Sequence, residues 1–112
     1  MDILFKNHKL EKLLNDERAL RRERGDRQAE LIMQRMAELR AAENLETMRY
    51  IIRARCHELK GDRKGQLSVD LNHPYRLLFA PNHEPIPVLS DGGLDWTKVT
   101  RIKILGIEDT HE

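Results

Sequence analysis

The chain has 112 residues, 39% of them hydrophobic and 35% charged, with 20 basic against 19 acidic side chains and a net charge of +1. That length holds one domain with one modest core, residues 1–112. The balance excludes a uniformly basic nucleic-acid binder. The single Cys56 excludes an internal disulfide and multi-cysteine zinc motifs. No apolar run approaches membrane-spanning length and no leader pattern opens the chain, so a protein without a membrane partner, in a reducing cytoplasmic compartment, is expected.

Taken in chain order, Asp2–Lys6 (DILFK) reads as a short strand with Ile3 and Phe5 on one face. From His8 to Arg24 the pattern is helical, with Leu10, Leu13, Leu14 and Leu20 as an apolar stripe. Gly25 is a stop signal and Asp26 the N-cap of a second helix running to about Ala42, whose Ala29, Ile32, Met36 and Leu39 recur at helical spacing. The charges around this helical hairpin, among them Arg18, Arg21, Arg22, Glu23 and Arg24, read as a solvated face. Asn44 is placed to cap a short third helix holding Leu45 and Met48.

After Ile51 the period changes to two. Leu67, Val69 and Leu71 alternate with Ser68 and Asp70, a half-buried strand. Asn72-His73-Pro74 is a turn, and Tyr75–Ala80 (YRLLFA) returns as the second strand of a hairpin. Pro81 to Trp96 is a loop of Pro, Gly, Asn and Asp, long enough to be functional or mobile, with Trp96 as a plug into the core. Val99–Ile107 (VTRIKILGI) is the most apolar strand and is expected in the middle of the sheet. The order predicts an α+β domain, with helices on one face of a small, mainly antiparallel sheet.

The chemistry-bearing run is His57-Glu58-Leu59-Lys60-Gly61-Asp62-Arg63-Lys64-Gly65. From Ile51 to Gly65 five cations, Arg53, Arg55, Lys60, Arg63 and Lys64, face two acids, Glu58 and Asp62, a local basic patch suited to a polyanion. The His57 imidazole donates or accepts protons near neutral pH. Lys60, Arg63 and Lys64 supply charge for a phosphate, and Gly61 and Gly65 let the backbone turn tightly. By itself this run favours a polar turn with an incidental histidine. Arg76 is the one charge in its strand and shares a face with Leu78, opposite Tyr75, Leu77 and Phe79. It is a fork for a phosphate or an edge-strand charge against aggregation. At the C-terminus, Asp109 and His111 fall on one face if the last strand continues, or lie in a frayed polar tail. Cys56 beside His57 is no nucleophile–base pair, since neighbours on an extended chain point apart. The five histidines show no zinc-ligand spacing, so neither metal nor cofactor is expected.

The segment HELKGDRKGQLSVDLNHPYRLLF, followed by VTRIKILGIEDTH, resembles the HigB-type killer toxins (plasmid maintenance system killer proteins) of the RelE superfamily. Their pattern runs H-x-L-K-G-[DN]-R-[KE]-G-x-[WY]-S-[VI]-x-[VL]-N-x-x-[WY]-R-[LI]-x-F and closes on E-D-Y-H. It is matched here from His57 through Gly65, at Ser68, Val69, Leu71, Asn72, Tyr75, Arg76, Leu77 and Phe79, and at Glu108, Asp109 and His111. The match covers about the last half of the chain; the helical hairpin agrees in layout only. The resemblance implies a RelE-like fold and a toxin that cuts mRNA on the ribosome, using the substrate's own 2′-OH without a metal. It implies a helix-turn-helix, HigA-like antitoxin as partner, with operator DNA met only through that antitoxin. It gives His57 the role of general acid or base. Lys60, Arg63, Lys64 and Arg76 become RNA and phosphate contacts, and Asp109 and His111 the groups that complete proton transfer or orient the nucleotide. Two positions depart from the pattern. Thr110 replaces the tyrosine between Asp and His, and Leu67 replaces an aromatic, so two stacking platforms are missing. Two alternatives stand beside this: a weakened homologue, which these losses would allow, serving mainly as an antitoxin-binding module, and an unrelated small α+β RNA-binding domain.

Overall fold

The computed structural model describes residues 1–109. The first predicted helix is two. Helix α1 spans His8–Leu14 and α2 spans Glu17–Arg24. Each begins on a short polar side chain that accepts a backbone N–H: Asn7 from Leu10 at 2.8 Å and Asp16 from Ala19 at 3.1 Å. A carboxylate at position 16 thus starts a new helix where periodicity alone continues the old one. Gly25, at φ 80°, ends α2 and also opens α3, Asp26–Ala41. Asp26 is therefore the first helical residue rather than the cap, an acid in the first turn where the helix dipole favours it. Asn44 occupies the expected N-cap position, but its side chain makes no capping bond and the segment Leu45–Tyr50 is a 3-10 helix.

Five strands follow the expected hairpin layout with one addition. Strand β1 is Asp2–Phe5, β2 is His57–Glu58, β3 is Leu67–Asp70, β4 is Tyr75–Pro81 and β5 is Arg101–Asp109. Their order is β1-β5-β4-β3-β2. Among the described residues only the β1–β5 pair is parallel. The class is α+β. Strand β5 is internal as predicted, but β4 holds the centre. The added strand β2 pairs His57 with Ser68 and Glu58 with Leu67, so the chemistry-bearing run begins as the sheet's edge and not as a free loop.

The predicted stripes converge. Leu14, Leu20, Ala29, Ile32, Met36 and Leu39 from the helices are buried with Leu67, Val69, Leu77, Phe79, Ile102 and Ile104 from one face of the sheet. Trp96 joins them at 4% exposure, pinning the end of the long loop. Its indole N–H donates to Glu58 at 3.0 Å, and the Arg49 guanidinium lies 3.8 Å from its ring centroid. The loop itself is organised. Val88 bridges Leu94, Asp95 donates back to Pro87, and Nε2 of His83 accepts the amides of Thr100 and Arg101 at 3.1 and 3.2 Å.

One irregularity matters for the site. Leu78 pairs with Gly106, and Phe79 pairs with Ile104, leaving Leu105 as an extra residue in β5. Gly106, at φ 152°, takes the backbone conformation that this bulge needs and that a side chain would resist. Beyond it the facing of β5 reverses: Ile102 and Ile104 face the core before the bulge, and Ile107 faces it afterwards, opposite Leu77.

Candidate active site

The face of the sheet turned away from the core carries several of the candidate side chains. Across it run two rows of paired residues: His57, Ser68, Leu78 and Gly106, then Asp70, Arg76 and Glu108. Arg76 lies on the central strand with its side chain only 12% exposed, so it is no edge-strand device. Its Nε sits 3.4 Å from Asp70 Oδ1, an ion pair without hydrogen-bond alignment. Its Nη1 points to His57 Nε2 at 3.5 Å, a long and weak contact. Asp70 also receives Nη1 of Arg55 at 3.4 Å, so one carboxylate orients two guanidinium groups.

His57 is held from the other side. Its Nδ1 lies 2.8 Å from the carbonyl oxygen of Arg55. A carbonyl only accepts, so Nδ1 carries the proton. A guanidinium only donates, so Nε2, facing Arg76, presents its lone pair. The ring is therefore arranged as a proton acceptor beside a guanidinium fork, a pairing that can activate a hydroxyl next to a phosphodiester.

Arg63 sits on a 3-10 turn, Gly61–Arg63, between β2 and β3. From there it reaches across two intervening strands to grip Glu108 of β5 with Nη2 at 2.6 Å and Nη1 at 3.1 Å. Ser68 and Leu78, on that same outer face, are fully buried. Gly61 and Gly65, with φ of 64° and 92°, supply the bends. Lys60 and Lys64 are exposed on the same turn and add charge at its rim.

Of the sequence candidates, the fold brings His57, Arg63 and Arg76 onto one face. Asp109 is exposed at the end of β5 and pairs with Tyr75, whose ring is covered by Arg24 of α2 at 5.5 Å. The register therefore gives Asp109 the helix side of the sheet and Glu108 the side of Arg76. His111 lies outside the described residues. Sequence reasoning passed over Asp70, Glu108 and the Arg55 carbonyl. Alternation in β3 places Asp70 one pair from His57, and Glu108 was visible as a member of the tail pattern. Cys56 is inert: burial pushes its thiol up to about 12, so no thiolate forms near neutral pH. Among the described residues no three His, Cys, Asp or Glu side chains converge as a metal site, and no helix is long and apolar enough to cross a membrane.

The Arg63–Glu108 pair has a readable consequence. The hydrogen bond from Arg63 holds the Glu108 carboxyl below its ordinary range against the opposing effect of burial, with further help from the charges of Arg63 and Lys6. A lowered carboxyl adds stability that is complete above its unfolded value, about 4.3, and is lost as pH falls through the folded value. The pair is half exposed, so the amount is small. Glu108→Gln should remove this contribution and release the Arg63 fork. Binding of a single-stranded RNA oligonucleotide, followed by fluorescence anisotropy at low salt, should tighten by up to about fivefold. Unchanged or weaker binding would mean that Arg63 does not exchange its carboxylate for phosphate.

No model of a known protein family matches the chain, and a search of curated proteins returned no significant match. The functional reading therefore rests on the residues and their geometry.

Proposed function

We propose that the protein is a toxin of a toxin–antitoxin system that cleaves mRNA on the ribosome, as its resemblance to HigB-type toxins of RelE-like fold implies. The observation that carries this reading is the neighbourhood of His57, with Nδ1–H tied to a backbone carbonyl and Nε2 turned toward Arg76. In the proposed reaction His57 Nε2 takes the proton of a ribose 2′-OH. The freed oxygen attacks the adjacent phosphorus, and the bond to the 5′-oxygen of the next nucleotide breaks. A 2′,3′-cyclic phosphate and a 5′-hydroxyl result. Arg76 and Arg63 stabilise the charge that develops on the non-bridging oxygens. Lys60 and Lys64 hold flanking phosphates, and the resemblance gives the proton of the leaving oxygen to His111, outside the described residues, since the register turns Asp109 to the helix side. The partner in this reading is a helix-turn-helix antitoxin, operator DNA is met through it, and the site of action is the cytoplasm.

The test is incubation of the purified protein with ribosomes programmed with a defined mRNA, with cleavage mapped by primer extension and the ends analysed chemically. Cuts inside codons in the ribosomal A site, ending in cyclic phosphate, are expected. Intact mRNA on occupied ribosomes would sink the proposal. One observation favours the second reading, a weakened toxin that acts as an antitoxin-binding module: Glu108 already occupies the Arg63 fork as a bidentate anion. Tight antitoxin binding without cleavage by either the wild type or Glu108→Gln would select it.

A further inference from the structure

We propose that Arg35, on the opposite side of the sheet from the candidate site, is a positioning residue that fixes which nitrogen of His57 carries the proton. The purpose of this device rests on the endonuclease reading, but its geometry does not.

Arg35 belongs to α3 and is 4% exposed. A buried guanidinium is tolerated only when its donors are satisfied and its charge is countered. Glu38, one turn on, takes Nη1 at 3.1 Å and supplies the charge. The other two contacts are to backbone carbonyls from separate segments: Nε to Asp70 at 2.8 Å and Nη2 to Arg53 at 3.2 Å. One rigid planar fork therefore sets the end of β3 against the short 3-10 turn Ile52–Ala54. Core filling does not require such a fork.

The backbone just beyond Arg53 gives the fork its purpose. Two residues on, Arg55 has φ 44° and ψ 51°. It is the one non-glycine with positive φ among the described residues. A side-chain-bearing residue keeps that left-handed conformation only when its surroundings over-determine it. Here the constraint comes from both directions. Arg35 holds the carbonyl of Arg53, and the Arg55 guanidinium reaches the carboxylate of Asp70, whose carbonyl Arg35 also holds. The left-handed turn aims the Arg55 carbonyl at Nδ1 of His57, 2.8 Å away. Arg35 touches neither His57 nor the space where a substrate would lie. It acts through the backbone of Arg53 to Arg55, in the way that an outer partner fixes the tautomer of a catalytic imidazole.

The experiment reads the tautomer directly. Long-range proton–nitrogen correlation spectra of the full chain labelled with 15N-histidine, at a pH of about 8.5 where imidazole is neutral, separate the Nδ1–H and Nε2–H forms. His57 is assigned by its disappearance in His57→Gln. His83, whose Nε2 accepts two amides, serves as an internal reference for the Nδ1–H form. We expect the wild type to show His57 as Nδ1–H, and Arg35→Lys, which keeps the charge but loses the fork, to shift it toward Nε2–H while His83 stays unchanged. A folded Arg35→Lys with the wild-type His57 pattern would overturn the proposal, as would a wild type already in the Nε2–H form. Should Arg35→Lys fail to fold, Arg55→Val tests the same device from its other end, because a β-branched residue resists the left-handed turn. The same shift supports the proposal and an unmoved His57 overturns it. A tautomer shift in a protein that cleaves no RNA leaves the positioning role standing and removes the endonuclease reading alone.

Discussion

His57→Gln should lower single-turnover cleavage of ribosome-bound mRNA by about 10²- to 10⁴-fold, the usual worth of a positioned general base. Glutamine is a demanding replacement here. Its amide can still donate to the Arg55 carbonyl, so the hydrogen bond that anchors the ring at 2.8 Å has a substitute. What it cannot do is accept a proton from a hydroxyl. The half-buried position of His57 at the sheet edge also predicts little loss of stability. The informative measurement is the cleavage rate beside the thermal midpoint of the same preparation. A large rate loss with an unchanged midpoint assigns the effect to chemistry. A rate within tenfold of the wild type would move proton transfer to another group.

Phe79→Ala should cost about 3–5 kcal/mol of stability, the range for emptying a buried aromatic site. Phe79 is fully buried on the central strand, between Leu67 of β3 and Ile104 of β5. Deleting its ring removes packing from three strands at once. Domains are stable by only about 5–15 kcal/mol, so the variant should be near its limit at ambient temperature. Urea unfolding reads this as a lowered midpoint at unchanged slope. A loss below about 1 kcal/mol would show that the two layers are not packed on this residue.

Much of the fold was legible because it depends on spacing. The leucines of the first helical segment and the Ala29–Leu39 stripe predicted which side chains meet the sheet, and alternation in Tyr75–Ala80 separated Arg76 from Leu77 and Phe79 correctly. The failures have physical causes. Asp16 interrupts a helix through a capping bond, which periodicity does not register. Strand β2 is two residues long and exists because a partner strand is present, so nothing local announces it. Glu108 was overlooked because unbroken alternation from Ile102 and Ile104 places Asp109, not Glu108, on the outer face. Leu105 interrupts that alternation, and a single glycine two residues before Glu108 was its only signature. Arg35 was invisible for a different reason. On a helix it looks like any solvated charge, and only the tertiary fold supplies the two carbonyls that make it a buried fork.

The bulge in β5 works as a change of phase within one strand. The half before it is locked in frame by Ile102 and Ile104 against the helices, and the half after it takes its frame from the bulge. Drawing Leu105 into regular pairing, with no residue lost, would turn Glu108 to the helix side and Asp109 outward without moving anything upstream, whereas deleting Leu105 would leave Glu108 opposite Arg76. Which carboxylate faces outward is therefore set by whether the bulge forms as well as by the side chains. The backbone freedom of Gly106, rather than any side chain at the site, thus decides what the outer face presents.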